Sequence, residues 1–425
     1  GASIGVAVIV FTNLIMLPVT ISYLGISKKA VERSKRDAVR EHPFWRAISY
    51  VAHPSFAPWI VIVALVGGVS CFIYQEHNIK VGDLDAGAPE LRPDSRYNLD
   101  NDFIIQNYTT SSDILVVMVS TPPEQCSAYE TLEAIDQLQW RMANLEGVQS
   151  AVSLVTVAKQ VIMGSNEGNL KWQGLSRNQD ILNNAISRAP TGMFNASCSL
   201  APVMVFLDDH KADTLTRATD EIKAFAAEYN TDDMVFKLAA GNAGIEAATN
   251  EIISSSELLI LVLVYIWVGV MCMITFRSFP ATICIVLPLV LTSVMGNALM
   301  AFLGIGMKVA TLPVIALGVG VGVDYGIYIY SRLESFLRAG MPLQEAYYET
   351  LRSTGKAVLF TGLCLAIGVA TWIFSAIKFQ ADMGLMLTFM FLVNMIGAML
   401  LLPALARFLI NPEKVRNSKG SKMSH

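Results

Sequence analysis

Residues 318–326 read Gly-Val-Gly-Val-Gly-Val-Asp-Tyr-Gly, and they lie inside the apolar segment 309–330. A carboxylate at the centre of a membrane helix costs roughly 2.5–3.5 kcal/mol on translocon insertion scales. Such a residue is rarely kept without a function. Asp324 is therefore the first candidate functional residue, on condition that the segment crosses a membrane.

The composition predicts a membrane protein. The 425 residues are 53% hydrophobic and 16% charged, and the mean hydropathy is +0.48. A soluble protein would carry about 25% charged residues. Several apolar runs reach the length of about 20 residues that a helix needs to cross a bilayer. We therefore expect a polytopic α-helical membrane protein with one polar insertion.

Charge is distributed unevenly along the chain. Residues 76–251 hold 12 Lys or Arg against 25 Asp or Glu, a net charge of −13, whereas the remainder holds 19 against 10, a net charge of +9. Basic connections mark the cytoplasmic side of a membrane protein. The acidic block is thus expected outside, in the periplasm of a cell with an inner (plasma) membrane. This pattern argues against a nucleic-acid partner.

These observations predict an order of segments along the chain. They are a span at 1–26, a cytoplasmic linker at 27–56, a span at 57–74, an extracytoplasmic domain at 75–255, a five-span bundle at 256–410 and a cytoplasmic tail at 411–425. No Met or basic flank precedes the first span, and it aligns without gaps with 386–411. We therefore expect residues 1–26 to be the last span of a missing N-terminal half.

The acidic domain alternates apolar and amphipathic segments. Short apolar runs predict strands at 113–120, 148–154, 202–207 and 235–240, with helices at 127–145 and 212–229 between them. Two strand–helix–strand units in one domain predict a ferredoxin-like α+β arrangement.

The cysteines leave one question open. Cys126 and Cys198 lie in the acidic domain, and a disulfide between them is possible if that domain faces an oxidising space. Sequence does not give their separation, so the bridged and free states both remain open. Cys and His show no metal-ligand spacing, so no metal and no cofactor are expected.

The glycine run has two faces if it is helical. At about 100° per residue, Asp324 shares a face with Gly320 and Tyr328. A roughly opposite stripe of small residues would let a neighbouring helix approach closely, and it holds Gly318, Gly322 and Gly326. A carboxylate shielded from water can take up and release a proton near neutral pH.

Three hydroxyl groups are candidates to act with that carboxylate. Tyr325 and Tyr328 can hydrogen-bond it, and Thr361 in the next span is a candidate member of a proton relay. The alternative is a carboxylate that only fixes helix packing through one hydrogen bond.

Several motifs together resemble the resistance-nodulation-division superfamily, and more narrowly its MmpL-like predicted exporters, which are related to the sterol-sensing Patched and Niemann-Pick type proteins. The motifs are Gly-Ile-Gly-Met-Lys-Val-Ala-Thr at 304–311, the run 318–325, Arg332, Leu-Phe-Thr-Gly at 359–362 and Leu-Pro-Ala-Leu at 402–405. The order of one span, a large outer domain and five spans is similar to that of the family.

The resemblance implies proton-driven export of lipids or other hydrophobic molecules by a protein that is not an enzyme. It makes Asp324-Tyr325 one half of a proton relay, and Thr361 matches the family's small hydroxyl residue. The expected partners are a hydrophobic substrate, protons, membrane lipid and the missing N-terminal half, which would carry the second Asp-Tyr pair.

Two other functions are compatible with parts of this pattern. A receptor-like or sterol-sensing regulator of the same architecture, without active transport, is the alternative. An intramembrane aspartyl protease is disfavoured because such an enzyme needs two intramembrane Asp residues, and the predicted spans contain only Asp324.

Overall fold

Helices account for most of the chain in a computed structural model, which describes residues 2–24, 42–109, 111–309 and 311–411. The chain divides into two units, 1–50 and 51–425. Most of the predicted linker, residues 27–41, and nearly all of the predicted tail, residues 412–425, lie outside the described residues.

The first unit is helical at nearly all of its described residues. An apolar helix runs from α1 (Ala2–Phe11) through a π-helical turn (Thr12–Met16) into α2 (Leu17–Leu24). A short helix, α3 (Pro43–Ser49), follows. Its Pro at the first helical position suits a site where a backbone N–H would have no partner.

The second unit contains the remaining regular elements. In chain order they are α4 (Ala57–Asn78), α5 (Arg96–Asn107), β1 (Ile114–Ser120), α6 (Tyr129–Ala143), β2 (Val148–Val152), α7 (Leu154–Ser165), α8 (Gln179–Ile186), β3 (Leu200–Leu207), α9 (Ala212–Tyr229), β4 (Val235–Ala240), α10 (Asn242–Phe276), α11 (Phe279–Phe302), α12 (Leu312–Arg338), α13 (Leu343–Thr350), α14 (Lys356–Ala370) and α15 (Lys378–Leu409). A π-helical turn, Leu351–Gly355, joins α13 to α14.

Within the described residues, six helices are long and apolar enough to cross a membrane. They are α4, α10, α11, α12, the continuous helical run from α13 through α14, and α15. One of them overlaps the predicted span at 57–74, and the other five overlap the predicted bundle at 256–410. Helix α10 begins at Asn242, inside the predicted extracytoplasmic domain, because the outer domain's last helical turns continue directly into the apolar segment.

The outer part is built on a four-stranded sheet of order β2-β3-β1-β4, in which all neighbours are antiparallel. Helix α6 connects β1 to β2, and α9 connects β3 to β4. The two predicted strand–helix–strand units are therefore present.

The core of this outer part follows from strand alternation. Leu115, Val117 and Val119 of β1 are fully buried, and the residues between them are less so. On the neighbouring strand Val203 and Val205 are buried in the same layer. Burying one such side chain contributes about 1.5–3 kcal/mol. One apolar face of the sheet is thus covered by the helices, and this fixes the register.

A connecting segment, residues 79–92, attaches the outer part to the helical bundle. The Gly82 N–H donates to the Met307 carbonyl over 2.8 Å, and the Met307 N–H donates to the Lys80 carbonyl over 2.9 Å. Arg92 Nη2 donates to the Ser375 carbonyl over 2.7 Å. We call residues 79–92 the connector, because it contacts the loops that follow both α11 and α14.

The connector approaches its partner so closely that one position requires glycine. A methyl group built on Gly306 would lie 1.8 Å from the Gly82 carbonyl oxygen. Any side chain there would force the two segments apart.

Cys126 and Cys198 form a disulfide in the structure, with their Cα atoms 5.0 Å apart. The bridge ties the loop after β1 to the loop before β3. It closes a sequence separation of 72 residues. Closing a loop of this length stabilises a fold by about 4 kcal/mol in the chain-entropy model.

We predict that this disulfide is present in the purified protein. Non-reducing peptide mass spectrometry should find the Cys126 and Cys198 peptides linked, while the buried Cys272 and Cys284 should be recovered as thiols after denaturation. Reduction should lower the unfolding temperature of the outer part. Recovery of Cys126 and Cys198 as free thiols would contradict the prediction.

Candidate functional site

Helix α12 has two sides with opposite environments, and its glycine stripe forms the buried one. Gly318 and Gly322 pack against α15, and Gly326 packs against α11. A methyl group built on Gly322 would lie 2.5 Å from the amide of Asn394, and one on Gly326 would lie 2.9 Å from Ile285. The absence of side chains is therefore what lets the three helices approach this closely.

A hydrogen bond adds to this contact. Asn394 Nδ2 donates to the Gly318 carbonyl over 2.8 Å, and the Asn394 side chain is buried. In membrane proteins such interhelical bonds contribute about 0.6 kcal/mol on average. The bond runs between α15 and α12 rather than within one helix, so it helps to fix how α12 is rotated about its axis.

The opposite side of α12 is open. Asp324 is exposed, Leu317 and Tyr328 are 50% and 59% exposed, and a methyl group on Gly320 would meet nothing within 4 Å. These are residues that helical periodicity places on the Asp324 face. Among the residues that the structure describes, none makes a hydrogen bond or ion pair with the Asp324 carboxylate.

Tyr325 and Tyr328 lie on different sides of the helix. Tyr325 is 1% exposed, and its hydroxyl has no hydrogen-bond partner in the described part of the chain. Tyr328, one turn after Asp324, shares the open side with it. Asp324 and Tyr325 thus lie on the open and the buried side of α12, and Tyr328 shares the open side with the carboxylate.

Thr361 lies on an exposed surface of α14. In the described ranges no hydrogen bond joins its hydroxyl to Asp324. Of the four predicted relay residues, Asp324, Tyr328 and Thr361 are thus exposed, and Tyr325 alone is buried.

An apolar groove opens elsewhere on the bundle, between α4, α11 and α15. Its volume is about 470 Å³. Large apolar side chains dominate its lining, among them Trp59, Val63, Leu291, Met295, Ile396 and Leu400. Such a groove can accommodate a hydrocarbon chain.

Sequence reasoning missed a polar cluster in the outer part. Ligand atoms of Asp83, His210 and Glu246 all lie within 4.8 Å of one another. The three residues come from the connector, the loop after β3 and the start of α10. No short sequence spacing links them, so only the folded chain reveals the cluster.

Residues 99–420 match the model of the MMPL family. Membrane protein MJ1562 of Methanocaldococcus jannaschii is 24% identical over 304 residues, which cover 69% of this chain and 76% of that protein. The sulfolipid-1 exporter MmpL8 of Mycobacterium tuberculosis is 31% identical over 130 residues, or 29% of this chain and 12% of that protein. Membrane protein YdfJ of Bacillus subtilis is 25% identical over 199 residues, covering 44% of this chain and 26% of its own length. The matches thus cover most of the archaeal protein but only a minor part of the two bacterial ones.

The two sides of α12 predict opposite effects for the same substitution. Gly322→Ala should displace the Asn394 amide, break its bond to Gly318 and lower the free energy of unfolding by about 1–3 kcal/mol. Gly320→Ala is the matched control and should be neutral or slightly stabilising, because alanine is the better helix former and has open space there. Thermal unfolding in detergent measures both. Equal unfolding temperatures for the two variants would contradict this account of the glycine stripe.

Proposed function

The chain belongs to the MMPL family, and from that premise we propose that it is a proton-motive-force-driven exporter of lipids or other hydrophobic molecules. It is a multi-pass membrane protein with six apolar helices in its described part. The name of the relative MmpL8, a sulfolipid exporter, supports the substrate class. One observation carries the proposal: an exposed carboxylate, without a partner among the described residues, in the middle of the apolar helix α12.

Asp324 would bind the transported proton. A charged carboxylate on an open helix face within the bilayer is costly, and its protonated form is much less so. Loading and release of a proton would therefore switch the polarity of this face. Each charge that crosses the membrane field supplies about 2.3 kcal/mol per 100 mV.

The proposed relay extends from Asp324 to its neighbours. Tyr328 shares the open face, and Thr361 is exposed on α14, so both hydroxyls are available to a proton on that side. Tyr325 would take part from the buried side, where its hydroxyl lacks a partner among the described residues.

We further propose that a second set of membrane helices covers the open side of α12. The exposed stripe supports this, because the Asp324 carboxylate has no hydrogen bond or ion pair within the described ranges. In a bilayer an ionisable group usually faces a bundle interior or a polar cavity. The covering helices, which we identify with a first half of the transporter, would supply the second Asp-Tyr pair of the relay.

The outer part, residues 75–255, is proposed to lie in the periplasm, with the bundle in the inner (plasma) membrane. Support comes from the net charge of −13 on residues 76–251 against +9 on the remainder. The strand order β2-β3-β1-β4, with α6 and α9 as the two connections, supports a ferredoxin-like arrangement. The apolar groove between α4, α11 and α15 supports a hydrophobic substrate.

We predict that Asp324→Asn abolishes proton uptake without unfolding the protein. Asn has nearly the same size but cannot carry a proton at neutral pH. The measurement uses proteoliposomes loaded with the pH dye pyranine, with an imposed potassium diffusion potential. Glu345→Gln is the matched control because Glu345 is exposed on α13, away from the relay, and this variant should keep the wild-type rate.

The same assay separates the proposal from its alternative. Wild-type proton uptake in the Asp324→Asn variant would refute the relay. If neither the wild-type protein nor the variant moves protons, and a cellular response to sterols persists in both, the receptor-like regulator is favoured.

A further inference from the structure

A buried polar cluster lies where the outer part meets the loop that leads into α12. Lys308, in that loop, makes an ion pair with Asp83 of the connector, and both side chains are mostly buried. The Asp83 carbonyl also accepts a hydrogen bond from the N–H of Ala212, the first residue of α9, over 2.9 Å. Asp83 is thus held between the bundle and the outer part.

His210 is the most enclosed member of the cluster. It is 5% exposed, and its Nδ1 lies 3.1 Å from Asp113 Oδ2, just before β1. The other ring nitrogen, Nε2, is buried and has no hydrogen-bond partner among the described residues. A buried polar atom left in this state costs about 1–3 kcal/mol. His210 Nε2 is therefore a candidate ligand-binding atom.

Two carboxylates converge on the same point. Ligand atoms of Asp83, His210 and Glu246 lie within 4.8 Å of one another, and Glu246 Oε1 is a second buried atom with no partner in the described part of the chain. Glu246 lies near the start of α10, about three turns before the apolar run that begins at Leu258, so the cluster lies outside the apolar part of this helix.

The charges in this cluster do not balance. Three carboxylates, Asp83, Asp113 and Glu246, face one ammonium group, that of Lys308, which leaves two negative charges when His210 is neutral and all three carboxylates are ionised. Burial raises the pKa of Glu246 to about 7; the charge of His210 opposes this rise, and the charges of Asp83 and Asp113 add to it. Burial alone would lower the pKa of His210, but the adjacent Asp113 carboxylate, with smaller contributions from Glu246 and Asp83, outweighs it and raises that pKa.

Protonation of His210 does not satisfy the geometry. A neutral His210 with its proton on Nδ1 leaves its Nε2 lone pair and Glu246 Oε1 both without a partner among the described residues. A protonated His210 would present an Nε2–H that hydrogen-bonds to neither carboxylate in this structure. A cation bound between Asp83, His210 and Glu246 would accept the Nε2 lone pair and contact both carboxylates at once.

We propose that Asp83, His210 and Glu246 bind one divalent transition-metal ion of the kind represented by Zn²⁺. One imidazole nitrogen and two carboxylate oxygens are ligands that suit Zn²⁺, whereas Ca²⁺ and Mg²⁺ prefer oxygen alone. Asp113 on the opposite ring nitrogen is the carboxylate that commonly orients a metal-binding histidine. Two positive charges would neutralise the cluster.

The site lies close to the start of α12, so a bound ion would help to hold that helix in place. Lys308, paired with Asp83, lies four residues before Leu312, where α12 begins. The bound ion would join the connector, the loop after β3 and α10, and so hold the outer part against the start of the helix that carries Asp324. This goes beyond the proposed transport and is tested by binding alone.

The test measures metal binding to the full chain, purified in detergent without a polyhistidine tag and stripped with EDTA. Calorimetric titration with ZnCl₂ should find one high-affinity ion per chain. His210→Gln and Glu246→Gln should each weaken binding by at least about tenfold. Glu251→Gln is the matched control: it lies on the same helix, exposed and paired with Lys223, and should bind as the wild type does.

Three results of the titration would contradict the proposed metal site. Absence of a high-affinity ion in the wild type, or equal affinity in His210→Gln and Glu246→Gln, overturns the site, as does preference for Ca²⁺ or Mg²⁺. If both variants aggregate, crystals of the wild type soaked in Zn²⁺ decide the question. Anomalous density between Asp83, His210 and Glu246 supports the site, and its absence there overturns it.

Discussion

The contact of α12 with α11 and α15 is the constraint on which the rest of the bundle depends. Gly318 and Gly322 have no side chain to keep α15 away, and Asn394 bonds to the Gly318 carbonyl across the gap. Successive residues of a helix are about 100° apart, so packing the glycine side against α11 and α15 directs Asp324 away from those helices. The carboxylate is exposed because the glycines are buried.

A second constraint acts at the outer ends of the helices. The connector contacts the loop between α11 and α12 through Gly82 and Met307, and the segment after α14 through Arg92 and Ser375. Tilting of either helical hairpin would therefore strain the connector. In the proposed transporter, this attachment is the physical route by which proton binding at Asp324 would move the outer part. The cluster around His210 lies on the same route, at the first of the two contacts.

Much of the fold could be predicted because its signals are local. The six long apolar helices overlap the predicted spans at 57–74 and 256–410, whereas the predicted span at 1–26 contains a shorter apolar helix, Ala7–Tyr23. The strands at 202–207 and 235–240 lie within β3 and β4. The predicted start of the bundle at 256 differs from the start of α10 at Asn242, because a helix can continue without a break from a polar domain into an apolar segment. Helical periodicity also separated the glycine stripe from the face of Asp324.

Asp324 and Tyr325 are adjacent in the sequence but lie on different sides of α12. Neighbours in a helix point about 100° apart, and the packing of α12 places Tyr325 inside the bundle and Asp324 outside it. The pairing of Cys126 with Cys198 was likewise left open by the sequence, because the folded sheet brings their loops together.

The sequence by itself determined that the chain crosses a membrane several times, which face of α12 holds the carboxylate, and where strands and helices alternate. These properties follow from hydrophobicity and from the periods of single elements. Only the tertiary structure decided that this face is open and that Asp83, His210 and Glu246 meet. Such contacts join segments far apart in the chain, and they depend on how whole elements pack rather than on any local pattern.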